Sequence, residues 1–309
     1  MKIVGVTEFG GPEALAAHEA PEPHAGPGEV RIRVRAAAVS PTDAGLRSGG
    51  YDSTESRAPH VPGMDAAGVI DEVGEGAGWN VGDEVMAIAV PLKGHGGAYV
   101  EHLVAPADSI ARIPSGRTFE EAATLPMNGL TATQVLELVD LRPGQTLAVT
   151  GAAGTLGNYL VQLAKLQGLT VIADAASKDR DRIESLGADL VVERGDDLAD
   201  RLLAARPGGV DAIADTALLH SKVLPALRDG GVFVSVRGWK GAPTRGIRFE
   251  AALVADEYHS HAKLDALRQA VEDGDLELRV ADVLPAERAP EAHRRMEAGG
   301  VRGRIVLTF

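Results

Sequence analysis

The chain has 309 residues, 45% of them hydrophobic, which is enough for a sizeable core and long enough for two domains. Its net charge of −13 disfavours nucleic acid and anionic lipid as partners, because both repel an acidic surface. The absence of cysteine excludes thiolate chemistry, and without a signal peptide or an apolar run of about 18 residues we expect a cytoplasmic protein outside the membrane.

Short apolar segments between glycine and proline predict a β-rich N-terminal domain. The chain opens with a strand at residues 1–6, and residues 30–39 alternate apolar side chains with arginine, as in a strand buried on one face. Further strands are predicted at 68–74 and 83–90, each bounded by glycine turns. This pattern is typical of a barrel-like domain.

Strands and helices alternate from about residue 118 to residue 255, which predicts a parallel sheet with helices on both faces. The predicted strands are 146–150, 170–173, 189–192, 210–214 and 232–236. The predicted helices are 119–125, 130–141, 156–167, 179–186, 198–205 and 221–228, followed by helices at 263–272 and 291–298 and a strand at 304–309. The sequence therefore predicts an α/β protein, with one domain formed by 1–117 and 256–309 and a doubly wound domain formed by 118–255.

A glycine loop joins the strand at 146–150 to the helix that follows. Glycines at this spacing permit a tight turn, close approach of the backbone to a pyrophosphate and close helix–strand packing. The N-terminus of the helix then offers free N–H groups to the phosphates. The predicted cofactor contacts are Gly151, Ala153, Gly154, Thr155, Leu156 and Gly157. An ordinary tight turn is the structural alternative.

The choice between NAD and NADP depends on the end of the second strand of this domain. Asp174 lies where an acid binds the ribose hydroxyls of NAD, or where it has only a local turn role. Ser177, Lys178 and Arg182 instead suit the 2′-phosphate of NADPH. We favour NADPH, and the competing signal from Asp174 leaves NADH open.

A series of motifs runs through the whole chain in a fixed order. They are 62–68 (PGMDAAG), 82–85 (GDEV), 97–101 (GAYVE), 122–126 (AATLP), 131–132 (TA), the glycine loop, 162–165 (QLAK), 186–189 (LGAD) and 303–307 (GRIVL). In this order the chain resembles the zeta-crystallin-like quinone oxidoreductases, a zinc-free branch of the medium-chain dehydrogenase/reductase superfamily.

The resemblance implies a GroES-like catalytic domain, an inserted Rossmann domain and a homodimer. The positions that hold catalytic zinc in relatives carry Ser40, Met64 and Met127 here, none of which is a credible zinc ligand. Nine histidines lack the partners that a metal site needs, so no metal is predicted. Further cofactor contacts implied by the resemblance are Thr131, Asp215, Thr216, Ser235 and Val236.

Candidate catalytic residues lie in the first domain. Ser40 and Thr42 fall where relatives place residues near the nicotinamide, although Ser40 replaces an asparagine and also fits, with Asp43, a helix capping box. Tyr51 matches a family tyrosine that donates a hydrogen bond or proton to the acceptor oxygen, or that serves only as a pocket wall.

The function that follows is reduction of a quinone or an α,β-unsaturated carbonyl by NADPH, through direct hydride transfer without metal. An enoyl-thioester reductase is a close alternative. A cofactor-binding protein with little catalysis is a second, and a zinc alcohol dehydrogenase, which stoichiometric zinc would support, is a third.

Overall fold

The computed structural model describes residues 1–51, 58–92 and 95–309. Its strands are β1 (Lys2–Gly5), β2 (Ala16–Glu19), β3 (Glu29–Ala38), β4 (Asp65–Val73), β5 (Glu84–Ile88), β6 (His102–Pro106), β7 (Ile110–Arg112), β8 (Thr146–Thr150), β9 (Thr170–Ala175), β10 (Leu190–Glu193), β11 (Val210–Asp215), β12 (Leu227–Ser235), β13 (Arg248–Ala251), β14 (Val280–Pro285) and β15 (Arg304–Thr308). Its helices are α1 (Pro41–Arg47), α2 (Phe119–Ala122), α3 (Pro126–Val139), α4 (Thr155–Leu166), α5 (Arg180–Ser185), α6 (Leu198–Ala205), α7 (His261–Glu272) and α8 (Ala289–Glu297).

The chain divides into two compact units. The first contains Met1–Met127, Tyr258–Asp273 and Leu278–Phe309, and the second contains Asn128–Glu257 and Gly274–Glu277. The sequence places residues 118–127 in the second domain, whereas the structure places them in the first unit. The reason is that α2 packs against β3 and β4 of the first unit.

The first unit is built around a seven-stranded sheet. Its strands follow the order β14-β15-β3-β4-β5-β7, and β6 also pairs with β3. All of these pairings are antiparallel except that of β14 with β15. The alternation predicted for residues 30–39 appears in β3, where Val30, Ile32 and Val34 are buried. Helix α8 packs against β14, β15 and α1.

The second unit is a six-stranded parallel sheet in the order β10-β9-β8-β11-β12-β13. The chain winds outward in one direction from β8 and in the other from β11, so the strand order reverses between these two strands. In open parallel sheets ligands bind at the carboxyl ends of the strands beside such a reversal. The predicted α/β class is confirmed.

One predicted helix of the second unit is wrong. Residues 221–228 form two short 3₁₀ turns, His220–Lys222 and Leu224–Ala226, and β12 begins directly afterwards at Leu227. Pro225 has no N–H to donate and clashes with a preceding helical turn, so an α-helix cannot continue through this segment. Within the described ranges, no helix has the length and apolar character needed to cross a membrane.

Candidate active site

The glycine loop of the second unit forms a cradle of bare backbone between β8 and α4. A Cβ on Gly151, whose φ is +71°, would lie 2.8 Å from the Thr216 hydroxyl oxygen, and a Cβ on Gly157 would lie 2.4 Å from the Gly151 carbonyl oxygen. Gly154 is the N-cap of α4, and no side chain caps this end of the helix. The first N–H groups of α4 are therefore left for a phosphate, as a bound dinucleotide requires.

Three polar residues occupy matching positions at the carboxyl ends of adjacent strands. Thr150, Asp215 and Ser235 are paired in register across β8, β11 and β12, and all three are buried. The Asp215 carboxylate accepts hydrogen bonds from the Thr150 hydroxyl (2.7 Å) and from the N–H groups of Leu219 (3.0 Å) and His220 (2.8 Å). Asp215 is thus occupied in holding the turn after β11, which includes a positive φ of 54° at His220.

Two further predicted residues, Thr216 and Val236, also lie at these strand ends. Thr216 donates its hydroxyl proton to the Thr150 carbonyl, and Val236 directly follows β12. Thr131 is buried on α3 within the same unit. The structure thus brings the glycine loop and the ends of β11 and β12 together at one edge of the sheet.

Asp174, the residue that favoured NADH, is turned inward. Only 3% of its side chain is exposed, and one carboxylate oxygen accepts the Gly151 N–H. The other oxygen lies 3.4 Å from Nε of Arg194. Asp174 therefore holds the glycine loop. It is not the turn or capping residue before the next helix that the sequence offered as its alternative, since Ala176 and Asp179 are the N-caps there.

The residues predicted to bind the 2′-phosphate of NADPH differ in whether another side chain already holds them. The Ser177 hydroxyl donates to the Glu193 carboxylate at 3.0 Å, and Arg182 is ion-paired with Glu277 at 2.7 Å. Lys178 lies exposed on the turn after β9 and forms no ion pair within the part of the chain that the structure describes. Of the predicted set, Lys178 is the cation best placed to meet a phosphate.

Arg194, a further cation at these strand ends, was not predicted from the sequence. This residue follows β10, and its N–H donates to the Ala175 carbonyl (2.9 Å) at the end of β9. Its guanidinium is 52% exposed beside Asp174. A signal was present, since the end of the third strand neighbours the end of the second in a doubly wound sheet.

In the first unit the predicted catalytic residues surround α1. Ser40 is the N-cap, and its N–H donates to the Asp43 carboxylate at 2.7 Å, so the predicted capping arrangement is present. Thr42 is half-buried in the first turn. Tyr51 is 39% exposed, and its ring lies so close to Gly45 that a Cβ there would be 2.7 Å from it. Residues 52–57, which follow Tyr51, lie outside the described residues.

Two of the positions aligned with zinc ligands, Met64 and Met127, adjoin a buried carboxyl group. Asp65 follows Met64 and accepts the Met127 N–H at 2.6 Å. Burial raises the pKa of Asp65 to about 7, with the Met127 N–H and the charge of Arg304 opposing the rise. Its second oxygen is buried and has no hydrogen-bond partner.

These side chains do not fit zinc. A hydroxyl and two thioethers at Ser40, Met64 and Met127 replace the thiolate and imidazole ligands that zinc prefers. Across the described ranges, no three His, Cys, Asp or Glu side chains cluster in a way that would hold a metal ion. A cavity of about 580 Å³ elsewhere in the first unit is lined by Arg279, Arg295 and Arg302 and by none of the predicted residues.

Known families match both parts of the chain. The model described as the alcohol dehydrogenase GroES-like domain covers residues 26–115, and the one described as zinc-binding dehydrogenase covers residues 186–307. An alcohol dehydrogenase of Geobacillus stearothermophilus is 30% identical in an alignment 343 positions long. The alignment covers 99% of each chain. The chain belongs to the medium-chain dehydrogenase/reductase superfamily. Its two units are the GroES-like and Rossmann domains of that superfamily.

Other similar proteins are named as oxidoreductases or as alcohol dehydrogenases. An NADPH-dependent alkenal/one oxidoreductase of Arabidopsis thaliana is 30% identical, over 90% of this chain and 72% of its own. Two solved structures superpose with a TM-score of 0.89: an NAD-dependent alcohol dehydrogenase (32% identical, all of both chains) and the quinone oxidoreductase of Coxiella burnetii (28% identical, 100% and 99% of the chains). This medium-chain oxidoreductase is therefore similar both to proteins named alcohol dehydrogenase and to proteins named quinone or alkenal/one oxidoreductase, and its own residues must discriminate between them.

Proposed function

We propose that this medium-chain oxidoreductase reduces quinones or α,β-unsaturated carbonyls with NADPH, by direct hydride transfer and without zinc. The observation that carries the proposal is the replacement of zinc ligands by Ser40, Met64 and Met127, the last of which donates its N–H to the buried Asp65. Alcohol oxidation needs a Lewis acid to stabilise an alkoxide, whereas an electron-poor acceptor takes hydride directly.

The cofactor preference rests on the second unit. The bare glycine loop and the uncapped start of α4 suit a pyrophosphate. Lys178 and Arg194 offer two cations for the 2′-phosphate, and Asp174, which would bind the ribose of NADH, is occupied by Gly151 and Arg194. When bound, NADPH supplies the hydride, and the protein orients it and excludes water.

The first unit supplies groups for the acceptor. The Tyr51 hydroxyl is proposed to donate a hydrogen bond to the carbonyl oxygen as negative charge develops there. Thr42, at the start of α1, is proposed to face the nicotinamide. For an enone the hydride adds to the β-carbon and a proton adds to the α-carbon, and that proton comes from water or from Tyr51.

Two alternatives remain as hypotheses. An enoyl-thioester reductase would use the same hydride chemistry on a larger substrate. A cofactor-binding protein with little catalysis would keep the glycine loop and bind NADPH without turnover. The homodimer and the cytoplasmic location stay predictions.

The test is steady-state oxidation of NADPH and NADH by protein treated with a metal chelator, with 9,10-phenanthrenequinone and 2-cyclohexenone as acceptors. We expect turnover that is unchanged by chelation and a kcat/KM at least about tenfold higher with NADPH. Turnover that appears only after zinc is added would contradict the proposal. Tight NADPH binding without turnover of either acceptor would favour the non-catalytic alternative.

A further inference from the structure

Five polar side chains of the first unit form a continuous buried connection between α1 and α8. They are Asp43, Arg47, Tyr99, His293 and Glu297, and they are called the α1–α8 chain below. The first four are between 0% and 4% exposed, and only Glu297, at 37%, reaches solvent. Buried polar groups at this density are costly unless every one is paired.

The hydrogen bonds of the α1–α8 chain have one consistent direction. The Tyr99 hydroxyl donates its single proton to the Asp43 carboxylate at 3.1 Å. The Tyr99 oxygen can then only accept from Nε2 of His293, which lies 3.2 Å away. A neutral His293 with its proton on Nε2 has Nδ1 free as an acceptor, and this atom faces Nη1 of Arg47 at 3.5 Å.

The electrostatics agree with a neutral imidazole. Burial, followed by the charge of Arg47, lowers the pKa of His293 to about 3. Arg47 is balanced by Glu297, whose carboxylate lies 2.7 Å from Nη2. His293 is therefore neutral near pH 7, and its hydrogen bonds with Tyr99 and Arg47 assign the proton to Nε2.

The far end of the α1–α8 chain is the start of α1, where two proposed active-site residues, Ser40 and Thr42, lie. Burial raises the pKa of Asp43, and the N–H groups of Ser40 (2.7 Å) and Gly63 (2.9 Å) oppose that rise. One carboxylate thus ties the start of α1 to the segment that precedes Asp65. Rotation of the Asp43 carboxylate would break its hydrogen bond with the Ser40 N–H, which lies beside the first turn that contains Thr42.

We propose that His293 is a positioning residue for the reductase reaction, acting through Tyr99 and Asp43 on the start of α1. The proposal rests on the proposed function. The imidazole orients the Tyr99 hydroxyl, the hydroxyl orients the carboxylate, and the carboxylate fixes the Ser40–Thr42 backbone. A residue about 250 positions away in sequence therefore sets the geometry beside the acceptor.

The test compares His293→Gln with His293→Leu. A glutamine amide retains a donor for Tyr99 and an acceptor for Arg47, whereas leucine removes both. With 2-cyclohexenone and NADPH, we expect kcat to fall by about 10- to 100-fold in His293→Leu and by less than about threefold in His293→Gln. The NADPH dissociation constant should be unchanged in both, because the second unit carries the cofactor loop.

A matched control is His261→Leu, which removes another histidine of the first unit, one whose Nδ1 lies 2.6 Å from the Ile110 carbonyl oxygen and outside the α1–α8 chain. It should leave kcat unchanged. Wild-type kcat in a folded His293→Leu protein would overturn the proposal. So would an equal loss of kcat in His293→Gln and His293→Leu, since a merely structural role would not distinguish the two.

A second readout does not depend on turnover. In His293→Leu the Ser40 and Gly63 amide protons should exchange with solvent at least about tenfold faster than in the wild type, with no change in the His261→Leu control. Unchanged protection would overturn the proposal even if the wild-type protein reduced neither acceptor. Lack of wild-type turnover alone would overturn the proposed function and leave this test of the α1–α8 chain intact.

Discussion

At the scale of single residues, the end of β9 combines opposite charges whose partners decide what each can do. The Asp174 carboxylate would suit the ribose of NADH, but its two oxygens face the Gly151 N–H and Arg194. Glu193 holds Ser177, and Glu277 holds Arg182. The sequence shows all of these charges and cannot show which are already paired, because each partner lies 16 or more residues away along the chain.

Cofactor preference gives a prediction for Lys178 and Arg194. Replacing either with alanine should raise the KM for NADPH by about 10- to 100-fold and leave that for NADH within about threefold, because only the 2′-phosphate loses a charge-assisted contact. Steady-state kinetics with both cofactors measure the difference. Arg182→Ala is the matched control, and its KM for NADPH should not change since Glu277 already holds that side chain. An equal effect of all three substitutions would refute the assignment.

At the scale of elements, the β8–α4 loop depends on two glycines to different degrees. A Cβ on Gly157 would meet backbone atoms at 2.4 Å and 2.7 Å, whereas a Cβ on Gly154 meets only the Gly151 carbonyl oxygen, at 3.3 Å. Gly157→Ala must therefore displace the loop, while Gly154→Ala needs only a small adjustment and keeps an ordinary φ of −80°.

We expect Gly157→Ala to destabilise the protein by roughly 1–3 kcal/mol and to weaken NADPH binding at least about tenfold. Gly154→Ala should change the free energy of unfolding by less than about 1 kcal/mol. Denaturant unfolding and cofactor titration of both variants check this. Equal stability and affinity in the two variants would show that close packing at Gly157 does not shape the loop.

Elements with strong local signals were predictable, and those defined by distant contacts were not. The strand Thr146–Thr150 and the helix Leu198–Ala205 were predicted with their observed bounds, because apolar periodicity and glycine turns mark them. Strand β13 was missed, since its pairing with β12 and not its composition makes it a strand. The α1–α8 chain was likewise invisible, because it joins residues from both ends of the sequence.

At the scale of the whole molecule, buried ionisable groups make stability depend on pH. The pKa of Asp65 rises from 3.8 to about 7 on folding, so the unfolded chain loses this proton at lower pH than the folded protein does. The contribution of Asp65 to the free energy of unfolding is therefore fully present below about pH 4. It falls by about 4 kcal/mol in all as pH rises toward 7.

Asp65→Asn should therefore gain stability relative to the wild type as pH rises, by roughly 2–3 kcal/mol between pH 5 and pH 8. Denaturant unfolding of both proteins at the two pH values measures this difference. The control is Asp282→Asn. Contact with Arg295 lowers the pKa of Asp282, so the difference in free energy of unfolding between this variant and the wild type should not change between pH 5 and pH 8. If the stability difference between Asp65→Asn and the wild type also did not change with pH, the pKa rise that burial gives Asp65 would be contradicted.

The most direct test of the central claim follows the hydride itself. Chelator-treated protein is mixed with 2-cyclohexenone and NADPH that carries deuterium on one or the other face of C4, and the saturated ketone is analysed by mass spectrometry and NMR. We expect a single deuterium on the β-carbon of the ketone with one of the two labelled cofactors and none with the other. A product without deuterium from both labelled cofactors, or a product that forms only when zinc is supplied, would contradict direct, metal-free hydride transfer.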